Sequence, residues 1–203
     1  MNPPHTTAAS NIPGYTLGQP GSAHSPMSEQ DFALLKTTLL FSEDDLRHLR
    51  MAAEVLADQV EDVLDVWYGF VGANPHLLRY FNGPSGTPDA AYLAAVRQRF
   101  AAWILDTTHA HYDRAWLDYQ YEIGLRHTRH KKNKTDGVAS PSEVIHLRYL
   151  IAFVVPLSLT MKPFLAKKGH SAQDVENMHL AWFKAVTLTA ALWAQAYVPA
   201  QDY

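Results

Sequence analysis

The chain contains no cysteine among its 203 residues. Disulfides, thiol nucleophiles, iron–sulfur clusters and every thiolate-ligated metal centre are therefore excluded, and histidine and methionine remain the softest ligands on offer. It also lacks an excess of charge of one sign. The 17 basic and 20 acidic residues leave a formal charge of −3, scattered along the chain, which gives no broad footprint for nucleic acid. No charged segment followed by an apolar stretch opens the sequence, and no apolar run is expected to reach the roughly 20 residues of a membrane span. The simplest location is the cytoplasm, with no membrane partner. Sustained period-two alternation and the Gly-rich fingerprints of phosphate or dinucleotide binding are missing too.

What is present is the composition of a packed globular protein, 47% hydrophobic and 18% charged, with the length of one domain. Residues 1 to about 28 are rich in Pro, Gly, Ser and Thr and read as an arm. Within it, Ile12-Pro13-Gly14-Tyr15 sets two bulky residues around a turn dipeptide. That piece either docks on the body or belongs to a floppy tail.

From Ser28 onward the pattern is helical. Ser28 is a plausible N-cap for a short first helix carrying Phe32, Leu34 and Leu35, and Ser42-Glu43-Asp44-Asp45 repeats the signal. The apolar positions that follow, from Leu46 through Leu56 and Val60 to Trp67, predict one long amphipathic stretch ending near Gly69. Turn clusters at Asn74-Pro75 and Asn82 to Pro88 isolate Leu77 to Phe81. Helices are expected to open around Asp89 and about Asp113. After a polar, basic break from Arg129 to Gly137, two long helical patterns cover about 142 to 168 and 171 to 196, with Gly169 as C-cap and Ser171 as the next N-cap. The expected class is all-α, with seven or eight helices.

Eleven histidines in a cysteine-free helical protein raise the question of metal. His109 and His111 do not share a helical face. His127 and His130 do, but no carboxylate or third histidine nearby completes a zinc site. His127 is distinguished by its neighbours, because Trp116, Gln120 and Ile123 put it at the end of an apolar helical stripe. On the stripe alone it reads as a core or boundary histidine with a satisfied ring, and only a partner for the ring makes it a ligand. One inward histidine and many aromatics also suit a five-coordinate haem, which needs a neutral imidazole and an apolar slot. Trp67, Tyr68 and Phe100 would form the opposite wall or else pack as ordinary core. Trp67-Tyr68 offers an indole N–H and a phenol as donors to a polar gas ligand. The basic run Arg126 to Lys134 is read as solvated charge at a helix end.

The stretch Asp118-Tyr119-Gln120-Tyr121-Glu122-Ile123-Gly124-Leu125-Arg126-His127 resembles the proximal helix of the protoglobins. The likeness extends to Ile12 to Tyr15, Asp58 to Val71, Tyr92 to Val96, Trp103 to Thr107, Arg148 to Phe153, Met161 to Ala166 and Ala181 to Lys184, while the segment from Lys131 to Ile145 departs more from the pattern. It implies a globin fold over residues 28–203 with an additional N-terminal helix, and a leading arm, 1–27, that covers the haem. It implies haem b as cofactor, His127 as the iron ligand, and Trp67, Tyr68 and Phe100 as distal residues with Val96 at the usual distal-histidine place. Phe153 and Leu157 would pack on the haem from the side, and Arg99 would meet a propionate. Phe81, Tyr119, Ile123 and Arg126 complete the implied cofactor-binding set. Many members follow the proximal histidine with a second one, whereas Thr128 stands there in this chain.

The resemblance further implies reversible binding of O2, CO and NO, in sensing or scavenging, and a homodimer built from the last two helices, where Ala185, Ala190, Ala191 and Ala194 permit close approach. Because the chain ends at Tyr203, any signalling output is expected in a separate protein. Two alternatives stay open. A haem enzyme would act on NO, peroxynitrite or peroxide, or transfer carbenes from diazo reagents, although the neutral distal set supplies no general base for peroxide. A cofactor-free scaffold would leave the Trp67, Phe100 and Ile123 faces packed together with no slot.

Overall fold

The computed structural model describes residues 12–203; the part of the predicted arm before Ile12 lies outside them. The described chain is helical, with no β-strand. It consists of α1 (Glu29–Thr38), α2 (Glu43–Leu56), α3 (Val60–Gly72), the single turn α4 (Pro75–Leu78), α5 (Ala90–His109), α6 (Arg114–His127), α7 (Leu147–Leu159), the single turn α8 (Lys162–Leu165) and α9 (Ala172–Ala194), joined in places by 3-10 turns.

The helix starts follow from side-chain chemistry. Ser28, Asp89, Asp113 and Ser171 each accept the backbone N–H three residues on, relieving one of the donors that a helix start leaves without a partner. Ser42 and Asp45 form a reciprocal capping box, and buried Asp45 also accepts Lys184 Nζ at 2.9 Å, tying α2 to α9. Gly169 closes the 3-10 turn 166–168 at φ 75°, a left-handed conformation that suits glycine.

Two boundaries differ from expectation. The long stretch from Ser42 breaks into α2 and α3, because Ala57 to Gln59 turn the chain and the Gln59 side chain donates back to the Val55 carbonyl at 2.7 Å. The segment expected to be helical from 142 begins at Leu147 and stops at Leu159, where Thr160 and Pro163 interrupt it. Residues 147–168 are, by length and composition alone, apolar enough to cross a membrane, which amends the expectation that no run approaches that length. In the fold the run is broken after Leu159, and Phe153, Val154 and Leu157 line an internal cavity.

Helix α9 is the axis of the molecule, packed against α2, α6, α7 and α8, while α5 crosses α2 and α3. Ala181 and Ala185 let α9 approach Leu49 of α2 closely. Burial of apolar side chains on several faces of α9, including Val175, Met178, Trp182, Val186 and Leu192, supplies the main driving force for the fold. Trp182 is fully buried and donates its indole N–H to the Leu157 carbonyl at 3.0 Å, so even this core residue leaves no unpaired donor.

The arm from Ile12 to Met27 docks rather than trails. Tyr15, Leu17 and Met27 are buried against Phe32, Trp116, Leu117 and Tyr119. The Tyr15 hydroxyl donates to Asp106 at 2.8 Å.

Candidate functional site

Between α3, α5, α6, α7 and α9 lies a cavity with about 1420 Å³ of space not filled by protein, counting its open mouth. Its lining is mostly apolar and aromatic with a few polar groups at the edge, the character of a small-molecule site rather than of a water cluster. Every site residue named from the sequence lines it: Trp67, Tyr68, Phe81, Val96, Arg99, Phe100, Tyr119, Ile123, Arg126, His127, Phe153 and Leu157. The Trp67, Phe100 and Ile123 faces thus border a slot, which the scaffold alternative does not provide.

His127 sits at the C-terminal end of α6. The predicted stripe is real: Trp116 and Gln120 are buried, and Ile123 and His127 reach the cavity. The His127 Nδ1 lies 2.8 Å from the Ile123 carbonyl. A carbonyl only accepts, so the proton resides on Nδ1 and Nε2 keeps a free lone pair. Burial holds the imidazole far below its ordinary pKa, at about 4, against the opposing Ile123 bond and with help from the charges of Lys132 and Arg126. The ring is therefore neutral at physiological pH, the form a metal requires.

The ring is held at Nδ1 and on one face, and its backbone is held as well. Trp193 of α9 stacks on it at 5.0 Å and 25°, and the indole N–H of Trp193 donates to Gln120 at 3.0 Å. The His127 carbonyl accepts the Ile145 N–H at 2.8 Å and the Tyr197 hydroxyl at 3.2 Å. Gly124 permits this approach of α6 to the end of α9, since a Cβ there would lie 3.0 Å from the Trp193 carbonyl oxygen. His130, the nearby competitor for a metal, is exposed and outside the lining.

The opposite wall is aromatic. Trp67 and Phe100 meet at 5.0 Å, and Tyr68 contacts Phe81 and Phe100 at 6.3 and 6.4 Å. The expectation that Trp67 and Tyr68 both offer donors is corrected here. The Trp67 indole N–H is committed to Thr160 Oγ1 at 2.8 Å, because fully buried tryptophan takes the nearest acceptor and Thr160 itself donates onward to the Pro156 carbonyl. The Tyr68 hydroxyl, by contrast, is buried with no partner among the described residues, and burial pushes its pKa up. A phenol left this way costs free energy unless something else receives its proton. In one apolar cavity, an imidazole with a free lone pair can hold a metal, and a phenol without an acceptor can donate to a small polar ligand.

At the rim, Arg99 forms a two-pronged pair with Asp136 at 2.8 and 2.7 Å and donates to the Pro13 carbonyl at 2.8 Å. Arg126 pairs with Glu122 at 3.0 Å, reaches the Gly14 carbonyl, and donates to Thr16 at 3.0 Å. Both arginines thus hold the arm. The basic run from Arg126 to Lys134 is not uniformly solvated as expected: Lys132 is 2% exposed, because the turns after His127 fold it back under Tyr80.

Sequence reasoning missed several lining residues, among them Trp103, Tyr92, Lys132, Asp136, Tyr149 and Trp193. Trp103 continues the Val96–Phe100 stripe three residues on and was within reach of periodicity. Trp193 and Lys132 had no local signal, since only the tertiary fold brings them to His127 and the cavity.

A family model described as Protoglobin matches residues 28–203. No curated protein matches the chain.

Proposed function

Because the chain belongs to the protoglobin family, we propose that it is a globin-type haem protein in which His127 holds the iron of haem b and O2, CO and NO are the exchangeable ligands. One observation carries this reading: the His127 imidazole has Nδ1 spent on Ile123 and Nε2 free, at the wall of an apolar, aromatic-lined cavity. The group supplies an iron centre for a diatomic gas. The chain would supply the His127 Nε2, the apolar walls and the Tyr68 donor, while Phe153 and Leu157 line the side of the slot.

Residues 12–27, tied down by Arg99, Arg126 and Asp106, are read as a cover that shields the haem from water, beside a globin domain over 28–203. The enzymatic alternative draws on the same cavity. Its lining offers one carboxylate, Asp136, and Arg99 holds it, so no free distal base favours peroxide chemistry.

For the homodimer, two of the four alanines point elsewhere, Ala185 buried against α2 and Ala190 facing the cavity, while Ala191 and Ala194 are half-exposed. The support comes instead from Ile151, Val155 and Leu159, an exposed apolar stripe on α7, and from Leu180 and Phe183 on α9, each 45–69% exposed. Sedimentation of the parent and of Val155→Glu tests this, with a dimer expected for the first and a monomer for the second.

The test of the main reading is the absorption spectrum of the purified protein, oxidised, reduced, and reduced under CO, beside His127→Ala. A Soret band that shifts with CO and is lost in the variant is expected. A colourless parent that haemin does not reconstitute would reject the haem assignment.

A further inference from the structure

Lys132 is a lysine in an unusual place. It is 2% exposed, lines the cavity, and has no carboxylate within 4.0 Å among the described residues. Its Nζ is held only by neutral oxygens, the Tyr80 carbonyl at 3.0 Å and Asn133 Oδ1 at 3.2 Å, with the Tyr92 ring 5.2 Å below. An ammonium removed from water without a counter-ion is costly, and burial pushes it down to about 8 despite the attraction of Asp136.

The other cations of the lining are satisfied. Arg99 has Asp136, and Arg126 has Glu122, which Lys131 also reaches at 2.6 Å. Lys132 is thus the cavity cation left without an ion pair among the described residues. The turn that carries it is firmly held, with the Lys132 N–H on the Thr128 carbonyl at 2.9 Å and Asn133 on the Ser140 carbonyl at 2.9 Å. Position, burial and charge match one occupant, an anionic oxygen group belonging to whatever fills the cavity.

Resting on the haem reading above, we propose that Lys132 is the anchor for a carboxylate of the bound tetrapyrrole. Arg99 and Arg126 hold the arm through its carbonyls, and Lys132 holds the cofactor. The ammonium that is uncompensated in the apoprotein gains its counter-ion when the carboxylate arrives, so a residue that costs stability in the empty fold contributes affinity in the filled one.

The test compares haemin with its dimethyl ester, which keeps the iron and ring but removes both charges. Soret titrations would be run on the parent, Lys132→Met and Lys132→Arg, alongside thermal melts of each apoprotein. The parent is expected to prefer haemin over the ester by about tenfold or more, the range of a charge-assisted hydrogen bond. Lys132→Met should lose most of that preference while leaving ester affinity within about twofold, and its apoprotein should melt no lower than the parent. Lys132→Arg should retain the preference. Equal losses for both porphyrins, an unchanged preference in Lys132→Met, or a Met variant that fails to fold would each overturn the assignment by making Lys132 part of the scaffold. A parent that takes up neither porphyrin would overturn the haem reading itself, and this proposal with it, a result distinct from the other three.

Discussion

The two walls of the cavity are built on opposite principles. On the His127 side the groups that hold the ring are bonded, Nδ1 to Ile123, the His127 carbonyl to Ile145 and Tyr197, and the stacked Trp193 to Gln120, whose own amide nitrogen is left without a partner among the described residues. On the Tyr68 side the walls are aromatic, Trp67 has been withdrawn by Thr160, and one hydroxyl is left without an acceptor. One wall holds the imidazole, and the other leaves the Tyr68 hydroxyl free; the Trp103 indole N–H, on the same helix as Phe100, is likewise buried without a partner among the described residues. With His127 as the iron ligand, such a division would separate holding the cofactor from selecting the gas.

The sharpest way to break that contrast is to remove the support of the fixed wall. Trp193→Ala strips the stacked face from His127 and the partner from Gln120, and removal of so large a side chain costs about 3 kcal/mol of stability. Haemin affinity should fall by about 10- to 100-fold, as it does when groups that orient a metal ligand are lost, and Soret titration with thermal melting would measure both. A normal affinity in this variant would show that the fixed wall is not needed to hold His127.

A smaller effect is expected where the backbone, rather than a ring, is disturbed. Gly124→Val places a Cβ against the Trp193 carbonyl, and since backbone cannot give way as a side chain does, overpacking should cost about 1–3 kcal/mol. Chemical denaturation would show the loss, and the Soret maximum should move as His127 is displaced.

The free wall is tested by Tyr68→Phe. Dioxygen should leave about tenfold faster, reflecting one hydrogen bond of about 1–1.5 kcal/mol, with CO little affected because it is the weaker acceptor. The apoprotein should be as stable as the parent or slightly more so, since an unpaired buried hydroxyl disappears. Stopped-flow dissociation of both gases distinguishes this from a general loosening of the pocket, which would change the two together.

The contrast between these walls was unevenly legible in the sequence. Helix starts came from local chemistry, and the Ser42–Asp45 box and the Asp113 cap need no tertiary context. The stripe Trp116, Gln120, Ile123, His127 could be read because one helix carries all of it. Trp193 and Lys132 could not, because each arrives from a distant segment and nothing in its own neighbourhood marks the destination. The fate of the Trp67 indole was equally hidden, since Thr160 lies 93 residues away. The break between α2 and α3 escaped for a different reason. Hydrophobic spacing continues across Ala57 to Gln59, and the turn is stabilised by Gln59 reaching back to Val55 and across to Phe164.

A pH-dependent effect is expected at the arm, which lies outside the family match yet shares the rim. Burial holds the Asp106 carboxyl well above its ordinary range, at about 7, although the Tyr15 bond opposes this. The folded chain therefore keeps a proton that the unfolded chain loses above about pH 4, so this residue's contribution to stability falls as pH rises from there through about 7. Asp106→Asn should remove that dependence. Its melting temperature should gain on the parent between pH 5 and pH 8, and an unchanged difference across that range would show that Asp106 does not titrate there.

The most direct test of the central claim is haemin titration of His127→Gly with and without imidazole in solution. Loss of the parent's Soret spectrum, restored when free imidazole replaces the missing ring, is the result expected if His127 supplies the axial nitrogen. A glycine variant that binds haemin with the parent's spectrum and affinity, indifferent to imidazole, would contradict the account.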